Sequence, residues 1–178
     1  MIRKIKTLLI SLVVLATINA FAEDTHTEVT ITQQVVTQTQ WTLGAIIDRV
    51  TAPVLTKKDI QCLARNIFHE AGSEPEEGKV AVGIVTLNRS TNPKYPSNVC
   101  GVVNQPGQFS WVRQKVRQPR ESDPRWEESQ RIAVALAEGD YHEYRLKYAD
   151  AHHFHASYVR PGWRQKKIGK IGNHVFYE

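Results

Sequence analysis

No apolar run in this chain reaches the roughly 20 residues that a membrane-spanning helix needs. The strongest, Leu8 to Ala16, follows Arg3, Lys4 and Lys6 and leads to Ala20-Phe21-Ala22. These are the n-region, h-region and A-x-A cleavage site of a secretory leader. Residues 1–22 are therefore read as a signal peptide and the protein as exported, periplasmic or extracellular; the alternative is an uncleaved anchor. Cysteine is also scarce, with only Cys62 and Cys100 present. In an exported chain this even count is expected to form a Cys62–Cys100 disulfide, with two separate buried thiols as the alternative, and a pair would argue against a Cys–His nucleophile. The sequence also lacks an internal repeat and any recognisable nucleic-acid-binding motif. The absent motif matters because the formal net charge of +5 and pI of about 9.3 would otherwise point to nucleic acid. Removing the leader leaves 20 Lys and Arg against 18 Asp and Glu, a mild basic excess equally suited to an anionic wall polymer. The zinc-protease pattern H-E-x-x-H is missing too: His69-Glu70 is followed by Ser73 where the second histidine belongs. His153 and His155 would share one face of a strand, which leaves only a weak zinc alternative, and no cofactor is implied.

The length allows one domain with an extension. Residues 23–55 are read as a polar linker or N-terminal extension. Glu23 to Gln40 is rich in Thr and Gln without a helical stripe, although Val29-Thr30-Ile31-Thr32 also fits a short strand, and Trp41 to Val50 fits a short helix. The folded domain is placed at 56–178. Thr56 with Asp59 resembles a capping box, and Leu55 with Ile60 occupies staple positions. Ile60, Leu63, Ala64, Ile67, Phe68 and Ala71 form one helical face that Gly72 should end as a C′ residue. A second helix is expected from Ser73, capped with Glu76. Asp123, Pro124 and Gly139 bracket another. Ser90 to Pro106 reads as loop, and the segments Ala151 to Tyr158 and Asn173 to Tyr177 as short strands and loops.

Glu70 is the residue with the most chemistry in it. At 100° per residue it falls roughly at 280°, on the flank of a stripe running from roughly 300° to 20°. A carboxyl group half buried against apolar surface has its ionised form disfavoured, so it can keep a proton near neutral pH and protonate a glycosidic oxygen. On spacing alone, a carboxylate that simply reaches solvent remains the competing reading. Gln108-Phe109-Ser110-Trp111 offers an amide, a hydroxyl and two ring faces for sugar contacts, or else a loop anchored in the core by its two aromatics. Asn88, Tyr158, Trp163 and His174 are further candidates for substrate binding, each with a packing or structural alternative.

The run Ala64-Arg65-Asn66-Ile67-Phe68-His69-Glu70-Ala71-Gly72-Ser73-Glu74-Pro75, with Glu77-Gly78-Lys79-Val80-Ala81-Val82 and Leu87-Asn88-Arg89 after it, resembles the core of the SleB/CwlJ family of cell wall hydrolases. Tyr95-Pro96, Gly101-Val102-Val103 and Gln108-Phe109-Ser110 resemble a second block, and Ile171-Gly172-Asn173-His174-Val175-Phe176-Tyr177 the terminal signature. The blocks span roughly residues 59–177 in order. The stretch from His69 to Glu74 departs from the usual Gly-Glu-Ala-Arg-Gly-Glu, which puts fine substrate preference in doubt.

The resemblance implies an α+β, lysozyme-related single catalytic domain, with a helical part carrying the catalytic glutamate and a small β and loop part. It implies peptidoglycan glycan strands as the partner, a wall-associated location and Glu70 as the catalytic acid. The family favours a lytic transglycosylase cutting the β-1,4 bond between N-acetylmuramic acid and N-acetylglucosamine. The alternatives are a hydrolase (muramidase or glucosaminidase) or a non-catalytic wall-binding module. Hydrolysis usually needs a second carboxylate, and Glu74, Asp140 and Asp150 are the candidates, none outstanding. Nothing in the chain reads the modified muramic residues of a spore cortex.

Overall fold

The computed structural model describes residues 35–40, 42–44, 54–114 and 116–178, and the chain divides into two units, residues 1–43 and 44–178. In the first unit residues 35–40 and 42–43 are helical, with the Thr39 and Thr42 hydroxyls donating to the Val35 and Gln38 carbonyls at 2.7 and 2.8 Å. The stretch read as linker thus carries helix at 35–40, where Gln38 and Gln40 are good helix formers. The leader, the candidate strand at 29–32 and most of the helix expected at 41–50 lie outside the described residues.

The second unit begins, among its regular elements, with α1 (Lys57–Ala71). Thr56 caps it, accepting from the Asp59 N–H at 3.1 Å and donating its hydroxyl to the Asp59 carboxylate at 2.6 Å. Leu55 and Ile60, at the staple spacing, are both partly buried against the core. Leu63, Ala64, Ile67 and Ala71 are buried. Gly72 does end the helix, but not by left-handed geometry: it sits at φ −56°, ψ −25°. Glycine is needed there because a Cβ would lie 2.4 Å from the Phe68 carbonyl oxygen.

The next helix, α2 (Glu76–Thr91), starts three residues later than the expected Ser73 cap. Pro75 takes the cap position and its carbonyl accepts from Gly78 and Lys79 at 2.9 and 3.2 Å. The Glu76 carboxylate is engaged elsewhere, by the Tyr141 hydroxyl at 2.7 Å and Arg131 at 2.9 Å. Every residue from Gly78 to Leu87 is buried, which identifies α2 as the central helix of the unit. Asn66 ties α1 to it, donating to the Thr86 hydroxyl at 3.0 Å.

Short helices α3 (Val99–Val103) and α4 (Ser110–Arg113) follow. The first lies in the segment expected to be loop; Asn98 nucleates it by accepting from the Gly101 N–H at 2.7 Å, and Val99, Val102 and Val103 bury its apolar side. Cys100 on α3 is disulfide-bonded to Cys62 on α1, with a Cα–Cα distance of 5.2 Å. Helix α5 (Pro124–Ala137) has the Asp123 cap and Pro124 start read from the sequence, and Gly139 past its end is at φ +87°. It packs on α1 through Trp126, Ile132, Ala133 and Leu136. Helix α6 (His142–Lys147) leads to the sheet.

The sheet is antiparallel with order β1-β3-β2, from β1 (His153–Ala156), β2 (Lys167–Ile171) and β3 (His174–Tyr177). Gly172 and Asn173 form a two-residue hairpin between β2 and β3, with Gly172 at φ +51°, the positive φ that short hairpins place on glycine. Phe154 opposes Phe176 across β1 and β3. On the other face His153 opposes Tyr177 and His155 opposes Val175. The domain is thus α+β, helix-rich with a small three-stranded sheet.

Candidate active site

Glu70 sits one residue before the end of α1, where the helix stops and the chain turns through Gly72 to Pro75. An open cleft of about 280 Å³ forms there, lined by Phe68, His69, Glu70, Gly72, Ser73, Glu74 and Arg125. The carboxyl is half buried, and that burial pushes its pKa from 4.5 up to about 7, with the nearby Arg89 guanidinium pulling in the opposite direction. The negative end of the α1 dipole also disfavours the carboxylate. Among the described residues no hydrogen bond holds Glu70, so its proton is available to a ligand in the cleft.

Arg89 is the charge that the sequence reading did not single out. It lies near the end of α2 and is 6% exposed. Its Nε donates to the His152 carbonyl at 2.7 Å, and its guanidinium lies 5.5 Å from the Tyr95 ring centroid and 5.7 Å from that of Phe109. A buried cation held this way keeps its charge while its neighbour Glu70 changes state. A signal existed: Arg89 follows Val82 and Val85 at helical spacing, so a cation stands on an otherwise apolar face.

Glu74 lines the same cleft, but both its oxygens are engaged. Oε2 accepts the Asn173 N–H at 2.8 Å and Oε1 the Asn173 side-chain amide at 3.1 Å. Glu74 therefore braces the β2–β3 hairpin against the turn after α1. Gly172 is required beside it, since a Cβ there would fall 2.0 Å from Glu74 Oε2. Across the cleft, Arg125 places its guanidinium 5.3 Å from the Phe68 ring centroid and is paired with Asp123 at 2.6 Å.

The remaining candidates are spread more widely. His69 stacks on Trp111 with centroids 4.4 Å apart; burial, then the Arg65 charge, lowers its pKa and favours the neutral ring. Phe109 and Trp111 face the core at 4% and 7% exposure, while Gln108 and Ser110 face solvent. The Asn88 amide donates to the Tyr148 and Ala151 carbonyls at 2.8 and 2.9 Å, holding the segment before β1 on α2. His174 is buried at the start of β3, edge-on to Phe154 with centroids 5.2 Å apart. Tyr158 is 86% exposed on the loop after β1 and does not line the cleft. Among the described residues no three His, Cys, Asp or Glu side chains are grouped to hold a metal ion; His153 and His155 pack against Trp163. For the glycan cleavage that the family resemblance implies, EDTA is expected to leave the rate unchanged, and strong inhibition reversed by zinc would move the histidines into the reaction.

The pKa of Glu70 sets a pH profile. An acid that must be protonated works fully below pH 7 and is lost above it, so any reaction that uses Glu70 as its acid should slow about tenfold per pH unit beyond about pH 7. Rates measured from pH 5 to 9 that stay flat would remove Glu70 from the role of acid.

Residues 73–177 match the family described as Cell Wall Hydrolase; this match begins three residues after Glu70. The spore cortex-lytic enzyme of Bacillus subtilis is 32% identical over 125 residues, 69% of this chain and 38% of that protein. That of Bacillus cereus is 30% identical over 123 residues, 68% of this chain and 44% of that protein. The chain thus spans less than half the length of these curated relatives. It covers far more of two solved structures. The crystal structure of the catalytic domain of the Bacillus cereus SleB protein matches with a TM-score of 0.57 at 27% identity, over 70% of this chain and 92% of that one. The catalytic domain of the germination-specific lytic transglycosylase SleB from Bacillus anthracis matches with a TM-score of 0.55 at 27% identity, over 69% and 96%.

Proposed function

The chain belongs to the cell wall hydrolase family, and from that premise we propose that it is an exported lytic transglycosylase that cuts peptidoglycan glycan strands with Glu70 as general acid and then base. The observation that carries this reading is a single half-buried carboxyl, raised to about 7, in an open cleft whose other glutamate is already hydrogen-bonded.

The protonated Glu70 carboxyl donates to the glycosidic oxygen as the bond from that oxygen to the muramoyl anomeric carbon breaks. The leaving sugar departs as an alcohol and the anomeric carbon gains oxocarbenium character. Glu70, now a carboxylate, faces the Arg89 charge, which stabilises it in that state. It then removes the proton from the muramoyl C6 hydroxyl, whose oxygen closes on the anomeric carbon. The product is a 1,6-anhydro sugar, and Glu70 has its proton back. Intramolecular attack needs no positioned water and hence no second carboxylate. Gln108 and Ser110, solvent-facing beside buried Phe109, are assigned to polar groups of the bound strand, and Tyr158 to its more distant part. Asn88 and His174 act by holding the walls of the cleft.

Simple hydrolysis is the second reading, with Glu74 as partner carboxylate; its two hydrogen bonds to Asn173 argue against a free base there. Digestion of purified sacculi separates the two. Transglycosylation yields anhydromuramoyl ends about 18 Da lighter than hydrolysed ones, since no water is added, and these ends resist borohydride reduction. Reducible termini as the main products would leave Glu70 as the acid of a hydrolase. Binding without release of soluble fragments would leave only a wall-binding module.

A further inference from the structure

Three of the eight exposed large hydrophobic side chains among the described residues fall within one short loop: Tyr158 at 86%, Val159 at 41% and Trp163 at 40%. The loop joins β1 to β2, and residues 157–166 are all exposed. An exposed tyrosine and an exposed tryptophan on one loop mark it as a candidate contact surface. Trp163 is nonetheless held in place. Its ring centroid lies 5.6 Å from His153, 5.4 Å from His155 and 5.7 Å from Tyr177. Those three side chains share the outward face of the sheet, and His155 is stacked on Tyr177 at 5.2 Å. His155 is itself oriented by Nδ1 on the Ala156 carbonyl at 2.9 Å and Nε2 on the Tyr177 hydroxyl at 3.1 Å. The result is an aromatic platform, built on the sheet and reached by an exposed loop.

The segment that carries the platform is basic. From residue 151 to the end, Arg160, Arg164, Lys166, Lys167 and Lys170 stand against Glu178 alone, which pairs with Lys166 at 2.7 Å. The loop also starts at the wall of the cleft: the Ser157 N–H donates to the Asn173 carbonyl, and Asn173 donates to Glu74. Aromatic groups that suit a sugar ring and cations that suit carboxylates thus lie on a loop that starts beside the Glu70 cleft and is not part of its lining.

We propose that the Tyr158–Trp163 loop is a second binding site for the glycan strand, Trp163 stacking on a sugar ring outside the cleft and Arg160 and Arg164 facing the carboxylates of the attached peptides. This rests on the peptidoglycan reading and extends it. The site anchors the polymer while the cleft acts on one bond.

Sedimentation with purified sacculi tests it, using Glu70→Gln protein so that the polymer is not consumed. Trp163→Ala in that background should bind on the order of fivefold to tenfold more weakly, the size of one aromatic contact, and Trp163→Phe should restore most of the loss. Arg160→Gln with Arg164→Gln, both on exposed side chains, should weaken binding and flatten its dependence on salt. Unchanged sacculus binding in both the Trp163→Ala and the double arginine proteins overturns the proposal, whatever the enzyme's products. A loss of binding seen only with vesicles of anionic phospholipid also overturns it, in favour of a membrane-facing loop. Trp163-dependent sacculus binding by a chain whose wild type releases no muropeptides would reject the enzyme reading and leave this site standing.

Discussion

Glu70→Gln is expected to abolish sacculus digestion, lowering the rate by on the order of 10²–10⁴, the usual contribution of a positioned general acid. The amide keeps the size of the carboxyl and has no proton to give. The same substitution should not weaken the fold, and its effect on stability has a definite sign. Glu70 is raised from 4.5 to about 7 by burial, so the folded state holds its proton more tightly than the unfolded chain does. The stability associated with the neutral carboxyl is fully present below pH 4.5 and is lost as the pH rises from there through 7. Above pH 7 the native protein carries a desolvated carboxylate that glutamine lacks. Thermal or urea unfolding at pH 8 should therefore find Glu70→Gln more stable by roughly 1–3 kcal/mol, with the difference shrinking towards pH 4. A folded Glu70→Gln protein with near-normal turnover would reject the assignment of the acid. Loss of activity accompanied by lower stability at pH 8 would instead reduce Glu70 to a structural residue.

Replacing both cysteines by alanine should lower stability by about 4 kcal/mol in the chain-entropy account, given the 38-residue separation of Cys62 and Cys100. The bond ties α3 to the middle of α1, two turns before Glu70. Around it, Asp59 accepts the Cys100 N–H at 3.2 Å and Asn98 caps α3. Loss of the crosslink should thus loosen the segment that leads on to Gln108, Phe109 and Ser110. The expected result is a clearly lower unfolding midpoint under non-reducing conditions, with activity kept at low temperature. Thiol titration of the denatured, non-reduced protein should find no free thiol; two free thiols, or a midpoint indifferent to the double substitution, would remove the disulfide from the account.

Much of this domain was legible before any coordinates, and the parts that were share one property: their causes are local. Thr56 with Asp59 and Asp123 with Pro124 set helix starts through contacts within a turn, and the structure has both; Leu55 and Ile60, at the staple spacing, each pack on the core. The position of Glu70 on the flank of the α1 stripe also followed from a 3.6-residue period, and that flank turned out to be half buried. The failures are equally physical. Ser73 and Glu76 had the spacing of a capping box, but Arg131 and Tyr141, distant in sequence, take the Glu76 carboxylate. The segment around α3 looked like loop because its prolines and asparagines flank a five-residue helix whose stability comes from burying three valines and from Cys62.

The sequence by itself determined the family resemblance, the helix that carries Glu70 and the absence of an H-E-x-x-H motif, because motifs and periodicities are written along the chain. Only the tertiary structure decided that Glu74 is bound to Asn173, that buried Arg89 is the charge beside Glu70, and that Trp163 sits on two histidines and a tyrosine. Glu74 and Asn173 are 99 residues apart, and Arg89 and His152 are 63 apart. A carboxylate's pKa and its freedom to act depend on which groups desolvate and pair with it, and those arrive from elements that no local pattern brings together.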